Sequence, residues 1–253
     1  GGNGAPIYRW QYSTDESNWN DIASSNTAAY RPGALTQTTW FRRQAQNEAC
    51  NTGWVNSDTT YKVTVSVPEL DGIASGDIVW YGAMGTNWST AGNWLSYNGS
   101  AYSVAASAPS NSTNVFIVSY GDNCVTNNPV LTGASASKNL TIASGRSLGI
   151  GNYILSVAGN FDNEGGTFTS GNGTINIEGD LTNNGTFTAG TGTVVFNGGM
   201  LQTISGSALT FYNVTFNNAK NFMLDGLTPI VNGTARFTSG IVTGNMSFGA
   251  SAS

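Results

Sequence analysis

The chain has 253 residues, a net charge of -5 at pH 7, no histidine, and only 9% charged side chains, about a third of the ordinary share. Its nine Lys and Arg residues are scattered, with Arg42-Arg43 the one adjacent pair, and no run of about 18 apolar residues occurs, so neither a phosphate-binding stripe nor a membrane-inserting segment is expected. Without histidine the commonest general base is missing, and no nucleophile, base and orienting group stand at recognisable spacing; the expectation is a protein that is not an enzyme and holds no cofactor.

Gly, Asn, Ser and Thr crowd the sequence and suit an all-β architecture with many turns, because Gly and Asn supply positive φ and Thr favours strands. In IYRWQYS, Tyr8, Trp10 and Tyr12 alternate with Arg9 and Gln11, the pattern of a half-buried strand. TTWFRRQAQ continues in this style, and YKVTVSV places Tyr61, Val63, Val65 and Val67 on one face against Lys62, Thr64 and Ser66. Trp10 and Tyr30 are read as core rings.

The segment YRWQYSTDESNWNDIASSNTAAYRPGALTQTTWFRRQA, followed by Cys50, resembles the Ig-like repeats of large secreted Bacteroidota proteins over nearly all of residues 3–67. The resemblance implies an Ig-like β-sandwich over residues 1–68, incomplete at its N-terminus because two strands that precede the tryptophan strand in that family, one carrying a cysteine, are missing. Cys50 would then lack its usual partner. The sequence does not decide whether Cys50 and Cys124 pair, and neither has a second ligand at metal-site spacing. The resemblance also implies an extracellular, cell-surface location reached by type IX secretion. Asp58-Thr59-Thr60 resembles the O-glycosylation sites of that phylum and makes Thr59 a candidate acceptor.

PELDG, residues 68–72, reads as a boundary. Residues 69–137 then form a Trp-rich region, in which Trp80, Trp88 and Trp94 of VWYGAMGTNWSTAGNW resemble the Trp pattern that opens solenoid regions in the same proteins. Their expected role is to cap a stack of coils; the alternative is that they stack on sugars. The apolar run VFIV adds a strand before another turn-rich link.

Residues 138–253 are repetitive. AGNFDNEGGTFTSGNGTINI aligns with EGDLTNNGTFTAGTGTVVF, matching Phe161 with Leu181, Phe168 with Phe187, Thr174 with Thr193 and Ile177 with Phe196 at a period of nineteen to twenty residues. NLTIASGRSLGIGNYILSV before them, and NVTFNNAKNFML and IVNGTARFTSGIVTGN after them, read as further coils. A β-solenoid with apolar ladders inside and Thr and Asn ladders outside is expected, against a rival antiparallel meander with hairpins at NNGT and GNGT. The final coil reads as uncapped and as continuing in a longer polypeptide.

Four carboxylates, Asp162, Glu164, Glu178 and Asp180, recur with the repeat, where turn formation and solvation explain them. A stacked cluster could hold calcium, although the nine-residue glycine-aspartate repeat is absent. Outward Thr167/Thr169 and Thr186/Thr188 suggest a short ice-binding array. The Asn-X-Ser/Thr matches, such as Asn172, Asn184 and Asn232, reflect Asn-Gly-Thr turns. The expected function is a structural or adhesive stalk, with the flanking parts of its own polypeptide, further copies, or surface polysaccharide as partners; the alternatives are a carbohydrate-binding module and an ice-binding solenoid.

Overall fold

A computed structural model describes residues 5–32, 35, 38–47, 53–57, 59–63, 73–118, 127–250 and 252. The chain is all-β and divides into two compact units, Gly1–Glu69 and Leu70–Ser253. The PELDG segment, apart from what that division says, and both cysteines lie outside the described residues.

The first unit is an antiparallel sheet. Strand β1 (Pro6–Ser13) pairs along its whole length with β3 (Thr39–Asn47); β2 (Asn20–Asp21) lies on the far side of β1, and β4 (Val55–Asn56) and β5 (Tyr61–Val63) both pair with β3. Trp10 opposite Arg43 and Tyr12 opposite Phe41 place Trp10, Phe41 and Tyr61 on one face, with Tyr30 filling in between them. Trp10 and Phe41 are buried, as expected of this alternation. A second facing sheet is not among the described residues.

The second unit opens with β6 (Ile78–Trp80), β7 (Trp94–Tyr97), β8 (Tyr102–Val104) and β9 (Val115–Ile117). The pairings β6 to β7 and β7 to β8 are antiparallel, whereas β6 pairs in parallel with β9 and so joins the first coil. From there the chain winds as a three-faced β-solenoid. One face runs through Leu140–Ala143, Phe161–Glu164, Leu181–Asn183, Gln202–Gly206, Phe222–Asp225 and Val242–Thr243; a second is a six-stranded parallel sheet from Ser135–Ser137 to Ala235–Ser239. The third comprises two short sheets, Ser147–Gly149 to Thr186–Thr188 and Thr210–Phe211 to Ser247–Phe248.

Register follows the sequence repeat. Phe161 pairs with Leu181, Phe168 with Phe187, Thr174 with Thr193 and Ile177 with Phe196, all in parallel. Parallel pairing between equivalent residues excludes the antiparallel meander, in which each strand would pair with its sequence neighbour. Phe161, Phe168, Ile177, Leu181 and Phe196 are fully buried in one core that runs from Ile78 to Val231. Phe187 points inward but is only partly buried, a correction to its expected place in the closed core. Cap and coils also share one ten-stranded sheet, so residues 137 and 138 do not separate two bodies.

The corners explain why Asn and Gly fill the repeat. At one corner a ladder of polar side chains climbs the stack. Asn114 Nδ2 donates to Asp77 Oδ1 (2.8 Å), Asn139 Nδ2 to Asn114 Oδ1 (2.9 Å), the Asn160 N–H to Asn139 Oδ1 (2.8 Å), the Asp180 N–H to Asn160 Oδ1 (3.0 Å) and the Thr203 N–H to Asp180 Oδ1 (2.7 Å). Each side chain satisfies backbone or amide groups that the bend leaves without a sheet partner. At another corner Gly151, Gly171 and Gly190 stack with φ of 60°, 60° and 59°. A Cβ on Gly171 would lie 2.6 Å from the Gly151 carbonyl oxygen, and one on Gly190 would lie 2.2 Å from that of Gly171, so both backbone angle and spacing demand glycine.

The regular period breaks at several steps, among them a shortening to 17 residues between Ile230 and Ser247 and a register shift after Phe216. Leu181 pairs with Ile204, a spacing of 23 residues, and the excess forms a bulging loop on which Met200 and Leu201 are exposed. Buried Gln202 staples it: its Nε2 donates to the carbonyls of Ile177 (3.0 Å) and Gly179 (2.7 Å), and its Oε1 accepts from the Gly198 N–H (2.9 Å) and Asn218 Nδ2 (3.0 Å).

Candidate functional site

The three tryptophans marked out by the sequence do meet. Trp80 and Trp94 face each other across β6 and β7, with ring centroids 4.8 Å apart at 79°, and Trp88 meets Trp94 at 4.8 Å and 74°. Edge-to-face contact of this kind suits the ring quadrupoles. Trp80 Nε1 donates to the Asn127 carbonyl and Trp94 Nε1 to that of Trp88, both at 2.7 Å. Buried Asn93 ties down the intervening loop, accepting from the Met84 N–H and donating to the Asn87 carbonyl. All three rings are at most 1% exposed, so none has a face open to a sugar. This burial corrects the stacking alternative: the trio is the packed end of the solenoid core.

The outer surfaces of the coils carry the other candidates. Asp162 and Glu164 project from Phe161–Glu164, while Asp180 is spent on the corner ladder. Among the described residues no three acidic or cysteine side chains converge as a metal site would require. Burial pushes the Asp162 carboxyl above its ordinary range, opposed by a hydrogen bond from Thr182 and reinforced by the charges of Glu164 and Asp180. A raised folded-state value means that the folded chain keeps a proton the unfolded chain has released, so stability falls as pH rises from the ordinary carboxylate value through the folded one. Asp162→Asn is therefore expected to raise the unfolding midpoint at neutral pH, with the gain vanishing below the ordinary carboxylate range; thermal melts at the two pH values check this.

On the third face Thr167 and Thr169 pair in register with Thr186 and Thr188, preceded by Ser147 and Gly149. The array ends there, since the next strand, Thr210–Phe211, belongs to a separate sheet. Thr59 is exposed, with its carbonyl accepting a hydrogen bond from the Ser57 hydroxyl, and Asp58 lies outside the described residues.

A constellation that the sequence reading missed lies on the first unit. The face of its sheet opposite Trp10 carries Gln11, Arg9, Arg42, Gln44, Asn56, Asp21, Trp40 and Lys62, because these positions pair across the strands. They form a connected row. Asp21 accepts from Gln11 Nε2 (2.6 Å) and Arg9 Nη1 (2.9 Å); Arg9 Nε donates to Gln44 Oε1 (2.5 Å), Gln44 Nε2 to Asn56 Oδ1 (2.7 Å) and Arg42 Nε to Gln11 Oε1 (2.7 Å). Cations lie over rings along this row: Arg42 over Trp19 at 4.2 Å, Arg9 over Trp54 at 4.5 Å and Lys62 over Trp40 at 5.0 Å. All three rings remain half-buried. The alternation of Trp40, Arg42 and Gln44 was a usable signal; the cross-strand partners were not, because they depend on register. The opposite face holds a shallow apolar cleft of about 400 Å³ bounded by Trp10, Tyr30, Phe41 and Tyr61.

A family model described as a domain of unknown function (DUF8696) matches residues 1–68, the stretch that contains this row. No curated protein and no solved structure matches the chain.

Proposed function

We propose that the chain is a structural segment of a secreted bacterial surface protein, in which the solenoid serves as a stalk. The observation that carries this reading is the continuous core from Ile78 to Val231, closed at its start by the tryptophan trio and held at its corners by ladders. Each coil rests on its neighbours through parallel backbone pairing, which suits bearing load rather than enclosing a substrate. The surface location rests on the resemblance of residues 3–67 and on an exterior made soluble by neutral polar groups.

The stalk reading predicts that the chain releases neither reducing nor unsaturated ends from a panel of polysaccharides. Release that Asp162→Asn or Glu178→Gln abolishes would replace it with an enzymatic one.

A further inference from the structure

We propose that the sheet face bearing Trp19, Trp40 and Trp54 with Arg9, Arg42 and Lys62 binds an anionic polysaccharide, one whose sugars carry carboxylate or sulfate. The site belongs to the first unit and does not depend on whether the second unit is a stalk.

Charge is the first argument. The chain as a whole is acidic, yet among the described residues this face gathers three cations with Asp21 the carboxylate in its hydrogen-bonded row. Among the described residues the one ion pair is Arg9 with Asp21, so Arg42 and Lys62 face solvent without a carboxylate partner. The Arg42 guanidinium is held through its Nε by Gln11, which leaves its Nη groups directed and unspent. A guanidinium fixed in this way presents a planar fork matched to a carboxylate or sulfate, and little side-chain entropy remains to be lost on binding.

The rings supply the second argument. Trp19, Trp40 and Trp54 are half-buried, unlike Trp80, Trp88 and Trp94, so each, although one face is covered by its cation, keeps ring surface beside that cation where an apolar sugar face can lie while the cation meets the acid group. Trp40 and Arg42 occupy alternate positions of β3 on this face, about 7 Å apart, with the buried Gln44 next in the row holding Arg9, which spreads ring and cation groups along a line that a polymer could follow. A neutral glycan would leave the forks unmatched, and a protein partner would need a larger apolar centre than these separated rings provide.

The test is calorimetric titration of the whole chain with polygalacturonate, dextran sulfate, neutral dextran and single-stranded DNA, at low and at high salt. Binding to one or both anionic polysaccharides, weakened by salt and absent with dextran, is expected; which polymer binds distinguishes carboxylate from sulfate. Arg42→Ala and Trp19→Ala should each weaken it by roughly tenfold, the loss of one charge-assisted or stacking contact. Arg42→Lys and Lys62→Gln, which leave the sheet row largely intact, serve if those variants fail to fold, and each should weaken binding measurably. Equal binding of dextran, preference for the DNA, no binding of either anionic polysaccharide, or affinity unchanged in the folded variants would overturn the proposal.

Discussion

Phe168→Ala is expected to destabilise the second unit by about 3–5 kcal/mol, the range for a fully buried aromatic ring that leaves a cavity. Phe168 is fully buried, with Phe161 of its own coil at 5.1 Å and Phe187 of the next coil at 5.0 Å. It sits in register between Leu148 and Phe187 in one column, and the coils above and below are held apart by their own backbone pairing and cannot collapse into the space. The partly buried Phe187 should cost less when truncated in the same way, because solvent already reaches it. Urea unfolding of the two variants tests the order. Equal losses, or a loss below about 1 kcal/mol for Phe168, would show that the column is not the core.

The second large effect is expected at a corner. Gly190→Ala combines two penalties: about 1–2 kcal/mol for a left-handed backbone in an L-residue and about 1–3 kcal/mol for overpacking against the Gly171 carbonyl. A total of about 2–5 kcal/mol follows if the corner cannot move. It is constrained on both sides, since the Thr191 N–H donates to the Gly171 carbonyl (2.9 Å) and the Gly192 N–H to that of Ala189 (3.1 Å). Gly199→Ala is the control, because nothing lies near the added methyl and its φ is not in the left-handed region. Its unfolding midpoint should stay close to that of the parent chain.

The parts of this fold that were legible in the sequence are those that repeat. Phe161 with Leu181, and Ile177 with Phe196, could be paired on paper because a coil of nineteen to twenty residues brings equivalent side chains into one column. The same logic failed between Leu181 and Ile204, where extra residues shift the register and only Gln202, a polar residue buried as a staple, marks the join. Trp80, Trp88 and Trp94 were legible as a cluster, but whether their faces were open depended on how tightly the cap packs. The row of Trp19, Arg42, Gln11, Asp21, Arg9 and Trp54 was hidden for a different reason. Its members come from four separate places in the chain and meet only through the antiparallel register of β1 with β2, β3 and β4.

The central claim is mechanical: a stack of coils that bears load along its axis. Single-molecule pulling between the two ends of the chain tests it directly. A stalk should yield in successive steps, each releasing about one coil of roughly 20 residues, or about 66–72 Å of extended chain. Extension in one smooth rise, without resistance or coil-sized steps, would contradict the account.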